Sequence, residues 1–534
     1  MKRRALLKLA TIVLAQAAVG RAVAQQDGAA APVEPGLAPP PPDPAALALR
    51  ARLETPGTRI DPQAREALNA FYRERDFAPA FTRDGRWTAS AQSIIARLAA
   101  ASADGLDPGE YSHPSFARLA AQTASPEEAA AAEVELAGAV ASYARHAMRG
   151  RVDTRRLAPN VFAEPPAVDL PAVFREIVSS YDPQAVLDGL SPRHAGFLSL
   201  KRALAETLAP PPEAAEEPRH PPIANGPIIR LGSADPRVPA LRERFAIAAP
   251  PGARPEVMDA ALVAAVRDFQ RRQGLAANGA VGAGTVLALN GGPRPEARRD
   301  QRVATILVNM ERWRWLPRDL GEKHLWVNVP EFLVKVVEDG RVIHQTRTVV
   351  GKPETPTPLF SNAVQYFVVN PSWNVPPGIA ERDFIPLLNN PAALARRGIE
   401  VVRRGRTTFF RQPPGERNAL GRIKFMFPNA HAIYMHDTPS RSLFQRARRV
   451  FSNGCIRVDE PLRFAEIAFS REGDVTARRI QSMVGSGERY VRLRHRLPVH
   501  LTYFTLEIDS AGQTRTLDDV YGLDRRMRGL MGLV

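Results

Sequence analysis

Phe451-Ser452-Asn453-Gly454-Cys455-Ile456-Arg457-Val458 holds the only cysteine of the 534-residue chain. Ser-Asn-Gly is turn chemistry, and a glycine beside a thiol lets another backbone approach closely. A lone cysteine has no partner in its own chain and cannot staple a fold. In an oxidising compartment it is a liability unless chemistry requires it. The competing reading is a buried thiol serving as a small hydrophobe.

Upstream, Asn429-Ala430-His431-Ala432-Ile433-Tyr434-Met435-His436-Asp437 offers the base a thiol needs. Ala432 to Met435 suit a strand, with His436 at its C-terminal end. The chain then loops through Ser440 to Val450 and returns at Ser452 to Cys455, which predicts histidine and thiol within hydrogen-bond reach. Arg441, Arg446, Arg448 and Arg449 face a single acid, Asp437, on that loop. Their field is expected to lower the thiol pKa, unless the loop is only a solvated basic surface. His431 and His436 are five apart, on opposite faces of a strand, and one cysteine with one histidine falls short of a zinc centre. No metal and no cofactor is expected.

Outward from this site the pattern is β-rich. Leu325, Val327 and Val329 alternate, and Phe332–Glu338 and Arg341–Val350 flank Asp339-Gly340, a strong hairpin signal. Tyr366–Val369 reads as a strand closed by Asn370-Pro371, a polar insertion follows from Pro376 to Lys424, and Leu497–Ile508 supplies a late strand before a basic tail. Residues 227–291 read as a small helical unit. Its helix Met258–Gln273 carries Leu262, Ala265, Val266 and Phe269 on one stripe, with Gly274 as the stop. Residues 206–226 are a proline-rich linker and 58–205 a helical region, with Val134, Ala137, Val140, Ala141 and Ala144 on one face. Residues 25–57 read as a proline- and alanine-rich linker.

Residues 1–24 have the basic, apolar and small-residue parts of an export signal, and Arg3-Arg4-Ala5-Leu6-Leu7-Lys8 resembles a twin-arginine signal; a Sec signal is the alternative. No later stretch is apolar enough to span a membrane. The net charge of +16 falls to +11 without that segment. Export argues against nucleic acid as the partner and favours a polyanion rich in carboxylates.

His436 through Cys455, ending in Ser-Asn-Gly-Cys-Ile-Arg-Val, resembles the signature of L,D-transpeptidases with a YkuD-type catalytic domain. Asn370-Pro371-Ser372-Trp373-Asn374-Val375-Pro376-Pro377, Lys424-Phe425-Met426-Phe427-Pro428-Asn429 and His436-Asp437-Thr438-Pro439 are similar to that family too. Ala265 to Leu275, with Asn278-Gly279 and Val281-Gly282, resembles a three-helix peptidoglycan-binding domain, with Ala283 at its usual proline. The order of parts is similar to the large periplasmic members. One departure is Asn453, where the commonest motif has histidine.

The resemblance implies a multidomain α+β chain: a helical scaffold, a three-helix peptidoglycan-binding-like domain, and a mostly-β catalytic domain over 298–484 with a lid at about 376–424. Residues 485–534 would be a C-terminal segment returning to the scaffold. It implies Cys455 as nucleophile on the third stem residue, with release of terminal D-alanine, and His436 as proton acceptor and donor. Backbone N–H groups near Asn453, Gly454 and Cys455 would hold the oxyanion. Arg457, Trp373, Tyr434, Asn370 and Ser452 are the substrate-binding candidates, and Arg457 reads equally as a structural ion pair. The implied partners are peptidoglycan stem peptides and glycan, and the implied location is the periplasm. A hydrolase that trims stems and a non-catalytic wall-binding protein are the rival readings.

Overall fold

Asp339 and Gly340 turn the chain with positive φ at both positions, 52° and 73°, as a two-residue hairpin of this twist requires. The computed structural model that shows this describes residues 43–55, 60–209, 221–273, 275–290, 295–509 and 512–533. The chain divides into two units, Met1–Asp43 and Pro44–Val534, and every described helix and strand lies in the second. The expected export signal, the proline-rich part of the first linker, the central part of the second and the stop at Gly274 lie outside the described residues.

The hairpin belongs to a nine-stranded sheet. Its strands are β1 (Lys323–Asn328), β2 (Leu333–Glu338), β3 (Arg341–Gly351), β4 (Phe360–Val369), β5 (Ile423–Met426), β6 (Met435–His436), β7 (Val450–Ser452), β8 (Ile456–Val458) and β9 (Arg489–Thr502). The order is β7-β3-β8-β6-β5-β4-β9-β1-β2, and β2 also pairs with β3, so the ends of the sheet meet. Alternation decides the faces. Phe367, Phe425, Met435, Ile456 and Val458 are buried against Phe464 and Phe469, on or next to the helix Pro461–Ala468. Lys424, His436 and Arg457, between those residues, project from the opposite face.

Between β4 and β5 the chain builds a small lobe. Strands Trp373–Asn374 and Glu400–Arg404 flank Thr407–Gln412, and helices Pro377–Asp383 and Pro391–Arg396 complete it. Ala380, Phe384, Leu394, Ile399 and Phe410 give the lobe a core of its own. The polar insertion read from the sequence is thus a folded unit.

Helix Pro126–Arg149 is the axis of the scaffold. Ser125 and Glu128 form a capping box at its start, and Val134, Ala137, Val140, Ala141 and Ala144 are all buried. Buried Glu133 accepts hydrogen bonds from Tyr72 Oη, the Ala80 and Phe81 N–H groups and Thr82 Oγ1, which fixes the following loop without a cation. In the three-helix unit, helix Ala260–Arg272 starts at Asp259, whose carboxylate caps Leu262 N–H. Leu262, Val263, Val266 and Gln270 are its buried residues, while Ala265 and Phe269 are half-buried.

Two boundaries differ from the sequence reading. Pro44–Glu54, taken as linker, is a helix whose Leu49 and Leu53 are buried in the scaffold core. Its proline and alanines disguised two well-placed leucines. The catalytic sheet does not stop at Val484: β9 pairs with both β4 and β1. Its first half carries Arg489, Arg492, Arg494 and Arg496 because only one face of that half is covered. On the last helix, Leu523–Met531, Met527 shares a buried cluster with Val152, Leu157 and Val308.

Candidate active site around Cys455

The turn between β7 and β8 is locked from both sides. Ser452 Oγ donates to Cys455 O at 2.5 Å and accepts from Gly454 N–H at 3.1 Å. Thr357 Oγ1 donates to Gly454 O and accepts from Gly351 N–H, both at 2.9 Å. Gly454 has φ +110°, a region only glycine occupies cheaply, and a Cβ there would stand 3.1 Å from Ile433 Cδ1. Ser452 is therefore a buried turn clamp. The Gly454 N–H is already spent on it, so an oxyanion has to rely on the N–H groups of Asn453 and Cys455. Neither has a hydrogen-bond acceptor among the described residues.

β6 runs parallel beside β8, with Met435 opposite Ile456 and His436 opposite Arg457. Cys455 therefore faces Tyr434, and His436 is its diagonal neighbour. The thiol is half-buried and donates to Ala432 O at 3.9 Å, not to His436. Ala432 has φ 54°, so the expected strand Ala432–Met435 shrinks to Met435–His436. His436 is buried, and its Nδ1–H donates to Asp437 O at 2.5 Å. That bond fixes the tautomer and leaves Nε2 with its lone pair free. Asp437 is held in turn by Arg422 N–H at 2.8 Å, Thr438 N–H at 2.7 Å and Arg441 at 2.6 Å.

Burial sets the charge states. Desolvation, then the neighbouring Arg457 and Lys424 cations, push the His436 pKa down to about 3, against the pull of its bond to Asp437. Desolvation pushes the Cys455 thiol up to about 11, against the pull of Tyr434 and Arg457. The resting pair is neutral thiol and neutral imidazole. This corrects the expectation that the loop arginines would lower the thiol pKa. Arg441 pairs with Asp437 and Asp459. Arg449 donates to Thr348 O and Phe332 O, and Arg448 reaches Val520 O at 3.5 Å. The cation that acts on the thiol is Arg457.

Arg457 is half-buried, and its Nε is buried without a hydrogen-bond partner, so the ion-pair alternative is not what the structure holds. Trp373 packs against the lobe core, edge-on to Phe384. Tyr434 lies 5.7 Å from the His436 ring. Asn370 is elsewhere: its Nδ2 donates to Met483 O at 2.7 Å and Gly487 O at 2.6 Å, and its Oδ1 accepts from Gly485 N–H. It clamps the approach to β9 and has no donor left for a substrate. Exposed Asn453 accepts from Arg382 of the lobe at 3.2 Å. His431 stacks on Phe162, 3.7 Å between centroids, and takes no part in the site.

Lys424 had no role in the sequence reading. It is the cross-strand partner of His436 and lies 6.0 Å over the Tyr434 ring, with its pKa lowered by burial. The signal was present in Ile423-Lys424-Phe425, a cation between two core residues. Among the described residues no cluster of histidine, cysteine or carboxylates could hold a metal, and no helix is long and apolar enough to cross a membrane.

A half-buried thiol on a glycine turn, beside a histidine of fixed tautomer, is an arrangement that can carry acyl transfer through sulfur. Residues 322–470 match the L,D-transpeptidase catalytic domain (YkuD), residues 66–204 a scaffold domain and residues 235–289 a peptidoglycan-binding domain. The chain carries a YkuD-type L,D-transpeptidase catalytic domain together with those two domains. A protein of Haemophilus influenzae described as "Putative L,D-transpeptidase" is 30% identical over 254 residues, 44% of this chain and 50% of that protein. The chain thus spans about half the length of that curated relative. Solved L,D-transpeptidases from Mycobacterium smegmatis (16% identity, 34% of this chain and 58% of that one, TM-score 0.19) and Xylanimonas cellulosilytica (18%, 53% and 99%, TM-score 0.16) are also similar. The assignment rests on the family match.

Proposed function

We propose that this chain is a peptidoglycan L,D-transpeptidase that works through a Cys455 thioester. Cys455 Sγ attacks the carbonyl of the third stem residue while His436 Nε2 takes the thiol proton. The tetrahedral oxyanion is held by the N–H groups of Cys455 and Asn453. Collapse breaks the bond to the terminal D-alanine, and His436 returns the proton to that amine as it leaves. An acceptor amine then gives its proton to His436, attacks the thioester and releases the thiol, joining two stems through their third residues. Arg457 and Lys424 supply the positive field for the substrate carboxylates, and Trp373 and Tyr434 wall the groove beneath the lobe. We place the reaction in the periplasm, from the export-type N-terminal sequence.

The observation that carries this reading is the His436 Nδ1–H bond to Asp437 O at 2.5 Å, which leaves a bare nitrogen one strand from Cys455. The test is to incubate the protein with purified wall fragments bearing tetrapeptide stems and to identify products by mass spectrometry. Cross-linked dimers with loss of one D-alanine are expected. Shortened, unlinked stems at every acceptor concentration would replace the transferase reading with the hydrolase. No reaction, together with no acylation by a carbapenem, would refute both.

A further inference from the structure

The face of the sheet that presents His436 continues well beyond it. Taking cross-strand partners in turn, Arg457 on β8, His436 on β6, Lys424 on β5, Val368 on β4 and Tyr490 on β9 form one row. The adjacent row, two residues away on each strand, starts with Cys455 and Tyr434 and runs through Met426 and Tyr366 to Arg492. Ile456 N–H donating to Tyr434 O at 3.1 Å holds the first pair in register. The helix Pro461–Ala468 covers the opposite face; on this one His436 and Val368 are buried, while Cys455 and Tyr434 in the adjacent row are half-buried. Lys424, Met426 and Tyr366 are half-buried, Arg492 is exposed and Tyr490 is 63% exposed. The Tyr366 and Tyr490 rings lie 6.1 Å apart at 35°. The acid that acts on Lys424 is Glu488, which is already bonded to Ser372 N–H at 2.8 Å.

Strands are spaced about 4.8 Å, so the strand of Lys424 is about 10 Å and those of the tyrosines about 14–19 Å from the strand of the thiol. An extended peptide advances about 3.3–3.6 Å per residue. A donor whose residue before the attacked one is an acid linked through its side chain would hold its free carboxylate about 10 Å from the attacked carbonyl. A sugar joined after one more residue and a linker would stand at about 17 Å. The spacing of charge and aromatic groups on this face matches that order.

We propose that the donor stem lies across the strands, with its second-residue carboxylate on the Lys424 ammonium and its glycan sugar on the Tyr366–Tyr490 pair. This assignment rests on the proposed transpeptidase reading and extends it from the reacting carbonyl to the polymer that carries it. The ammonium gives a charge-assisted hydrogen bond to the carboxylate, and the tyrosines give flat apolar faces with hydroxyls at their rims. A chain with this strip distinguishes glycan-borne stems from free peptides.

The experiment measures kcat/KM for four donors: tetrapeptide stems with the second-residue carboxylate free or amidated, each with or without the disaccharide. Rates are normalised to the Cys455 that a carbapenem titrates, so a misfolded fraction drops out. The native chain is expected to favour the free carboxylate over the amide about tenfold, and the disaccharide stem over the bare stem about fivefold. K424M should bring the first ratio near one and leave the second in place. Y490A should bring the second near one and leave the first in place. Native ratios that survive in both variants would overturn the proposal. A native chain inert toward all four donors and toward the carbapenem would instead refute the transpeptidase reading on which it stands.

Discussion

The depressed basicity of His436 makes a sharp prediction for the pH dependence of Cys455 acylation. An ordinary histidine, with pKa near 6.5, is only about 3% unprotonated at pH 5, so a reaction that needs its lone pair would slow about thirtyfold between pH 8 and pH 5. Burial and the two flanking cations hold His436 at about 3. At pH 5 it remains almost entirely neutral, and the rate should change less than twofold. The sign follows from the direction of the shift: activity is present above the folded pKa and is lost only as pH falls through about 3. The thiol, at about 11, adds no rise below pH 9. The assay is the second-order rate of acylation by a carbapenem, followed by stopped flow under subsaturating conditions, which reports the free enzyme. Arg457→Met removes one of the two repelling cations and should move the acid limb upward, short of 6.5 because desolvation is the larger cause. A thirtyfold fall with its midpoint near 6.5 in the native chain would refute the reasoning.

His436→Ala should slow the same acylation by about 10² to 10⁴, the usual worth of a general base; a native rate would remove His436 from the mechanism. Cys455→Ala should abolish turnover and, since the thiol is half-buried, cost under about 1 kcal/mol in urea unfolding. Asn453→His should keep kcat/KM within about threefold, because Asn453 is exposed and its one hydrogen bond comes from an exposed lobe arginine; a larger change would show that the side chain touches substrate. Asn370→Ala loses three hydrogen bonds and puts alanine at φ 52°. It should cost about 3 kcal/mol, and a loss under about 1 kcal/mol in urea unfolding would refute its role as a clamp.

The features legible in the sequence were those set by local rules. Asp339-Gly340 demanded a hairpin because few residues accept two successive positive φ angles, and the scaffold helix announced itself through a single apolar face. The thiol was marked by a turn no core needs. Most of the misreadings were long-range. The arginines after Asp437 looked like a field around Cys455, but Arg441 and Arg449 are bound to partners that only the folded chain brings near. Asn370 sat in a family-like segment, yet its amide reaches more than a hundred positions away to the 483–487 turn. The first half of β9, before the late strand read from Leu497, was hidden because an alternating basic strand with one covered face has the composition of a tail. Lys424 was legible as a polar break in an apolar strand, but its partner His436 depends on a register the sequence does not state.

The row Lys424–His436–Arg457 has a consequence for the enzyme at rest. Burial, with a cation on each side, keeps the imidazole from accepting a proton cheaply, and burial keeps the thiol beside it protonated. Thiolate is the form that oxidants and adventitious electrophiles attack, so the resting site keeps its nucleophile dormant. A carboxylate seated against those cations cancels part of their repulsion and restores basicity to His436 at the moment a carbonyl stands before the sulfur. On the proposed reading, the site is then armed by the charge of its own substrate, and a lone cysteine can persist unguarded between turnovers.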